Sequence, residues 1–119
     1  MEFIKKDEIT VLKSDFQDSH QLLWNENSES ERVTITKVHV YPGKTNARHT
    51  HDASEQIWVA LFGTATLLLA NDETKEFNEG DVVRFSDGDV HGVTNNMDEE
   101  FVYLSVTAPP VNFRYAYKK

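Results

Sequence analysis

The stretch GKTNARHTHDASEQIWVALFG, residues 43–63, sets two histidines, a carboxylate and an amide between two glycines and then runs into an apolar segment. Alternate side chains of a β-strand share a face, so a short strand over 47–51 would project His49 and His51 side by side. Neutral imidazoles placed this way suit a divalent metal of borderline hardness. A solitary His-x-His is also what a solvated strand edge shows, so its meaning turns on the rest of the chain. The apolar segment 56–62 carries Trp58, Ala60 and Phe62 on one side and Ile57, Val59 and Leu61 on the other. That pattern reads as a strand buried on both faces, central in a sheet or at a subunit interface.

Outward from this stretch the same rhythm continues. Short β-prone runs over 32–41, 47–51, 56–62, 64–70, 81–85, 90–95 and 101–107 alternate with turns rich in Gly, Asn, Asp and Ser. No window holds apolar residues at sustained helical spacing, and strands recurring every ten residues or so predict an all-β sandwich or barrel. DEITVLKSDF and SHQLLWN, near the N-terminus, could be two further strands. The chain of 119 residues fits one domain: an N-terminal extension with outer strands over 1–31, a barrel over 32–108 and a tail over 109–119. The segment ANDETKEFNEG, residues 70–80, reads as a connecting loop.

Bulk chemistry narrows the function. A formal net charge of -8 argues against a phosphate-binding surface, so no nucleic-acid partner is expected. With no cysteine, thiolate nucleophiles, zinc ribbons, iron–sulfur clusters and disulfides are excluded, and any metal must be held by nitrogen and oxygen. The runs IWVALF and TATLLLA are far shorter than the ~20 residues needed to span a bilayer, and MEFIKKDEIT breaks up the apolar core a signal peptide needs. A soluble cytoplasmic protein without a membrane partner is expected.

A second segment, GDVVRFSDGDVHGVTN at 80–95, supplies His91 just after a tight SDGD turn. Together the two segments resemble the motifs of the cupin superfamily. The first cupin motif is Gly, five residues, His-x-His, three or four residues, Glu, six residues, Gly; Gly43, His49, His51 and Gly63 fall on it. The second is Gly, five residues, Pro-x-Gly, two residues, His, three residues, Asn; Gly80, Gly88, His91 and Asn95 match, with Ser86 in place of the proline. The resemblance implies a double-stranded β-helix, the jelly-roll barrel of the cupins, in which His49, His51 and His91 meet at one divalent transition metal: Zn, Fe, Mn, Ni or Cu. For the remaining ligand of the first motif, Gln56 follows His51 after four residues and leaves six before Gly63, whereas Glu55 follows after three and leaves seven. The motif spacing favours Gln56, with Glu55 as the alternative if a bulge shifts the register. Three imidazoles and an amide are neutral and leave the full metal charge for an anionic substrate; a Glu55 ligand would cancel half of it.

Around that centre Trp58, Phe62 and Phe113 are candidate walls of a substrate pocket, the alternative for Trp58 being plain core. Tyr103 is a candidate proton donor if it faces inward, and Glu55 a candidate proton carrier. Asn95 is expected to stabilise a turn, and Arg48 to point away from the histidines. Pro109 and Pro110 end the last strand, and the aromatic, basic tail could fold back over the barrel mouth, with Arg114 available for a substrate carboxylate. The His-x-His, the glutamine, the third histidine and the Pro-Pro tail with its phenylalanine are similar to small cupins that open unsaturated uronate sugars. In those proteins an acidic residue near the tail is implicated, and here the nearest position is Asn112. The resemblance thus implies a metal-dependent enzyme, an isomerase or lyase acting on a small oxygen-rich anionic metabolite. An iron-dependent dioxygenase or a non-catalytic small-ligand binding module are the alternatives. A homodimer is expected, because the apolar strand 56–62 needs covering.

Overall fold

The computed structural model describes residues 1–117. Ten strands form two antiparallel sheets: β1 (Thr10–Lys13), β2 (Gln17–Leu23), β3 (Thr34–Val40), β4 (Thr45–His49), β5 (Glu55–Phe62), β6 (Thr64–Leu68), β7 (Thr74–Asn78), β8 (Val82–Phe85), β9 (His91–Thr94) and β10 (Phe101–Ala108). The larger sheet runs β1-β2-β3-β10-β5-β8 and the smaller β4-β9-β6-β7. From β3 to β6 and again from β7 to β10 each strand passes to the other sheet, and the sheets face each other as a jelly-roll barrel. Three short 3-10 turns, Lys6–Glu8, Ala70–Asp72 and Phe113–Tyr117, are the helical content of the described residues. None is long or apolar enough to cross a membrane.

Alternation sorts side chains on the larger sheet. The inner face takes Gln17, Ser19 and Gln21 from β2, Thr34, Thr36, Val38 and Val40 from β3, Gln56, Trp58 and Ala60 from β5, and Tyr103, Ser105 and Thr107 from β10, all buried. The face is therefore graded along its length. Val38, Val40, Trp58, Ala60 and Tyr103 close one end, together with Ala65, Leu67, Phe77 and Val93 from the smaller sheet. Hydroxyls and amides occupy the other end, where the barrel stays open enough for a cavity.

Three local departures from ideal pairing decide where the candidate residues go. On β5, Ala60 pairs with Tyr103 but Phe62 pairs with Val102, so one extra residue, Leu61, sits in a β-bulge. The bulge reverses the facing beyond it: Phe62 is 49% exposed, outside the barrel, and the expectation that it walls the pocket is corrected. On β4, Asn46 pairs with Val93 and His49 with His91, again with one extra residue on the first strand. β4 ends at His49, so His51 does not share its strand as expected but follows in the next turn. Finally, residues expected as a loop form β7. Only Phe77 of that strand is buried, and an edge strand held by backbone bonds to β6 alone can carry Lys75 and Glu76 outward.

Candidate metal centre

His49 closes β4 and His91 opens β9, and the two are direct cross-strand partners with ring centroids 4.4 Å apart. The pairing is tight because residue 92 is glycine. A Cβ there would lie 2.8 Å from the Asn46 carbonyl oxygen and 2.9 Å from the Arg48 nitrogen, so only glycine lets β9 run against the β4 bulge. His51 is brought in by a contact between turns. The Gly88 N–H donates to the His51 carbonyl at 2.9 Å, tying the turn before His91 to the turn that carries His51. The Asp89 carboxylate, accepting from the Ser86 N–H at 2.8 Å, braces that turn where a proline would otherwise do so. The His51 ring lies 5.1 Å from His49 and 5.2 Å from His91.

Hydrogen bonds fix which nitrogen each ring presents. His49 Nδ1 donates to the Ala47 carbonyl at 2.8 Å, and His91 Nδ1 to the Asp89 carbonyl at 3.0 Å. Each ring then turns a bare Nε2 inward, the state a metal ligand requires. His51 Nε2 and His91 Nε2 are buried and have no hydrogen-bond partner among the described residues, an arrangement that costs stability unless something else fills it. The three residues offer ligand atoms all within 4.8 Å of one another, so the group could hold a metal ion. Burial lowers the pKa of His91 to about 4, and burial followed by the neighbouring His49 lowers that of His51. Both rings are therefore neutral and metal-competent at pH 7.

The surroundings are aromatic. Phe85 stacks on His91 at 4.8 Å, Trp58 meets the same ring edge-on at 5.7 Å, and Phe113 approaches His51 at 5.8 Å. Gln56 faces inward beside Trp58, as its register requires. Its Nε2 donates to Thr107 Oγ1 and its Oε1 accepts from Trp58 Nε1, both at 3.0 Å, leaving one lone pair on the amide oxygen. Glu55 points the other way and forms an ion pair with Arg84 at 2.6 Å, so it is neither at the histidines nor in the cavity. Arg114 also lies outside the cavity lining: it grips the Glu26 carboxylate with two bonds, 2.8 and 2.9 Å, and rests over the Trp24 ring at 5.1 Å. Arg48 donates to the carbonyls of Leu69 and Glu73, and the Asn95 amide donates to the carbonyls of Val40, Tyr41 and Glu99, stapling the second motif's closing turn.

A cavity of about 430 Å³ opens beside the histidines. Trp58, Tyr103 and Gln56 line it from the larger sheet, His49 and His51 from the other side, and Phe113 and Tyr117 from the tail, which does cross the mouth. No Asp or Glu is among the described lining residues. The sequence reading missed Phe85, Gly92, Gln17, Asn46 and Tyr117. Phe85 was within reach, since it has the inward parity of the strand 81–85; Gly92 owes its role to a bulge on another strand, which no pattern announces.

A cupin domain family model matches residues 36–107. No curated protein matches the chain. Among solved structures, an uncharacterized conserved protein with a double-stranded β-helix domain from Klebsiella pneumoniae is 25% identical, with a TM-score of 0.75 over 91% of this chain and 90% of that one. A predicted oxalate decarboxylase from Thermotoga maritima is 20% identical, with a TM-score of 0.77 over 90% and 98%. The polyketide cyclase RemF from Streptomyces resistomycificus is 18% identical, with a TM-score of 0.78 over 91% and 79%. Two motifs whose histidines converge in a jelly-roll barrel, and a family match across most of that barrel, establish that this chain belongs to the cupin domain family.

Proposed function

We propose that the chain is a metal-dependent small-molecule enzyme in which His49, His51 and His91 hold one divalent transition metal and the free lone pair of Gln56 completes the protein ligand set. The observation that carries this reading is the pair of buried Nε2 atoms, on His51 and His91, without a hydrogen-bond partner among the described residues, in a group of three histidines whose ligand atoms all lie within 4.8 Å of one another. Zn, Fe, Mn, Ni and Cu all accept such nitrogen and oxygen donors. A bound dication would supply Lewis acidity, drawing electron density from a substrate oxygen. The protein's own contribution is different: an all-neutral ligand set leaves the positive charge uncancelled, and a cavity without carboxylates among its described lining residues favours a small oxygen-rich anion. Isomerisation or ring opening of a sugar acid such as a uronate fits this site. Trp58 and Phe113 would wall the substrate, and the buried Tyr103 phenol would offer it a hydrogen bond. Glu55 and Arg114 have no part in this reading, since both are engaged elsewhere. A homodimer fits the exposure of Leu61, Phe62 and Val82, which lie together at the β5–β8 end of the larger sheet.

Elemental analysis of untagged protein tests the centre. The expected result is one transition metal per chain, lost in His49→Ala and His91→Ala. Metal kept at full stoichiometry by both variants would refute it.

A further inference from the structure

Two phenols, one buried and one half-buried, reach the cavity. Tyr103 comes from β10 and Tyr117 from the tail, and both line the same space. Gln17 Nε2 donates to the Tyr117 hydroxyl at 2.7 Å. The Ser19 hydroxyl, which accepts from Gln21 Nε2 at 2.8 Å, lies close to the same phenol. Asn46 Nδ2 donates to Gln17 Oε1 at 3.4 Å, and the Asn46 amide lies beside the Tyr103 hydroxyl. The chain of amides thus fixes direction. Gln17 turns its oxygen to Asn46 and its N–H to Tyr117, so the Tyr117 phenol accepts from the protein wall.

A phenol has one proton and two lone pairs. With Tyr117 accepting from Gln17, its O–H proton is left for whatever enters the cavity, and the Tyr103 O–H can turn the same way. Burial raises the pKa of both phenols, keeping them protonated donors at neutral pH. No lysine lies among the described lining residues, and Arg48, the one arginine there, is bonded to the Leu69 and Glu73 carbonyls. Recognition of an anion at this end of the cavity therefore falls to neutral donors.

We propose that Tyr103 and Tyr117 together form a carboxylate-binding site, set apart from the histidines in the same cavity, that holds the anionic end of the ligand by two phenolic hydrogen bonds. This rests on the reading of the cavity as the substrate site, and it adds that the tail supplies a binding residue. Hydrogen bonds to a charged acceptor are about twice as strong as neutral ones, so the pair selects a carboxylate over its neutral amide.

Calorimetric titration with acetate, pyruvate and malonate, each against metal-free and metal-loaded protein, tests the site. Binding of at least one acid is expected in the metal-free form, with the amide of that acid about tenfold weaker. Tyr117→Phe and Tyr103→Phe should each weaken the acid about tenfold and the amide by a smaller factor. Metal content, measured on the same samples, should be unaltered in both variants, which separates failure of this proposal from failure of the histidine centre. Affinities within twofold of the parent in Tyr117→Phe would overturn the proposal, as would the absence of binding by all three acids at millimolar concentration. Tyr117 lies in the tail and outside the core, so that variant decides the matter even if Tyr103→Phe fails to fold.

Discussion

His91 is buried to 2% exposure, and its pKa in the folded chain is lowered to about 4 against the ordinary 6.5. The sign of the consequence follows from linkage. Below pH 6.5 the unfolded chain takes up a proton on this ring while the metal-free folded chain does not, so stability falls as pH drops from 6.5 to about 4 and the loss is complete below that. At pH 5 the loss from this one group amounts to about 2 kcal/mol. Urea unfolding of chelator-treated protein at pH 7 and pH 5 checks it: the parent should lose about 2 kcal/mol more than His91→Gln over that interval. Equal losses would mean that the ring is solvated or already charged. The three histidines were legible in the sequence because each occupies a motif position. Their tautomers were not, since these depend on carbonyl oxygens two residues back, Ala47 for His49 and Asp89 for His91, whose direction is set by turns rather than by residue type.

The seam between β4 and β9 does for the centre what no single ligand can. The bulge adds one residue to β4 so that His49 arrives opposite His91, and Gly92 is the gap into which that bulge fits. Gly92→Ala would force a methyl group against the backbone of Asn46, Ala47 and Arg48, none of which can turn aside as a flexible side chain would. We expect a destabilisation of about 1–3 kcal/mol and a shift of the two histidines out of alignment. Thermal melts should show the melting temperature lowered by several degrees, and metal binding should weaken more than in a surface variant of equal stability. Unchanged metal affinity in a folded Gly92→Ala protein would show that the seam does not position the site. At this scale alternation correctly indicated seven barrel strands and the inward facing of Gln56 and Trp58, while it left the facing of Tyr103 open. It failed at Phe62, where one extra residue reverses the facing, at His51, which reaches the site from a turn and not from the strand, and at β7, where backbone pairing at an edge needs almost no apolar pattern.

Across the whole molecule the tail links regions far apart in the chain. Phe113 lies on His51 and Tyr117 on Gln17, yet what holds the segment down is outside the barrel, where Arg114 joins Glu26, 88 residues earlier in sequence, and covers Trp24. No local pattern could reveal that contact, and an arginine beside a barrel mouth reads more readily as a substrate ligand than as a fastening. Both charged groups are about half exposed, so the pair contributes little to global stability, but it acts on the one segment that roofs the cavity. Loosening it should change access more than stability. Arg114→Gln and Glu26→Gln are expected to speed metal extraction by a chelator roughly threefold while moving the melting temperature only slightly. Salt gives an independent check. Screening grows as the Debye length falls from about 10 Å at 0.1 M to 3 Å at 1 M, so extraction from the parent should quicken with ionic strength, whereas the two variants, lacking the pair, should respond far less. Parallel salt dependence in all three proteins would mean that the ion pair does not hold the roof in place, and that Phe113 and Tyr117 keep their positions through the cavity contacts alone.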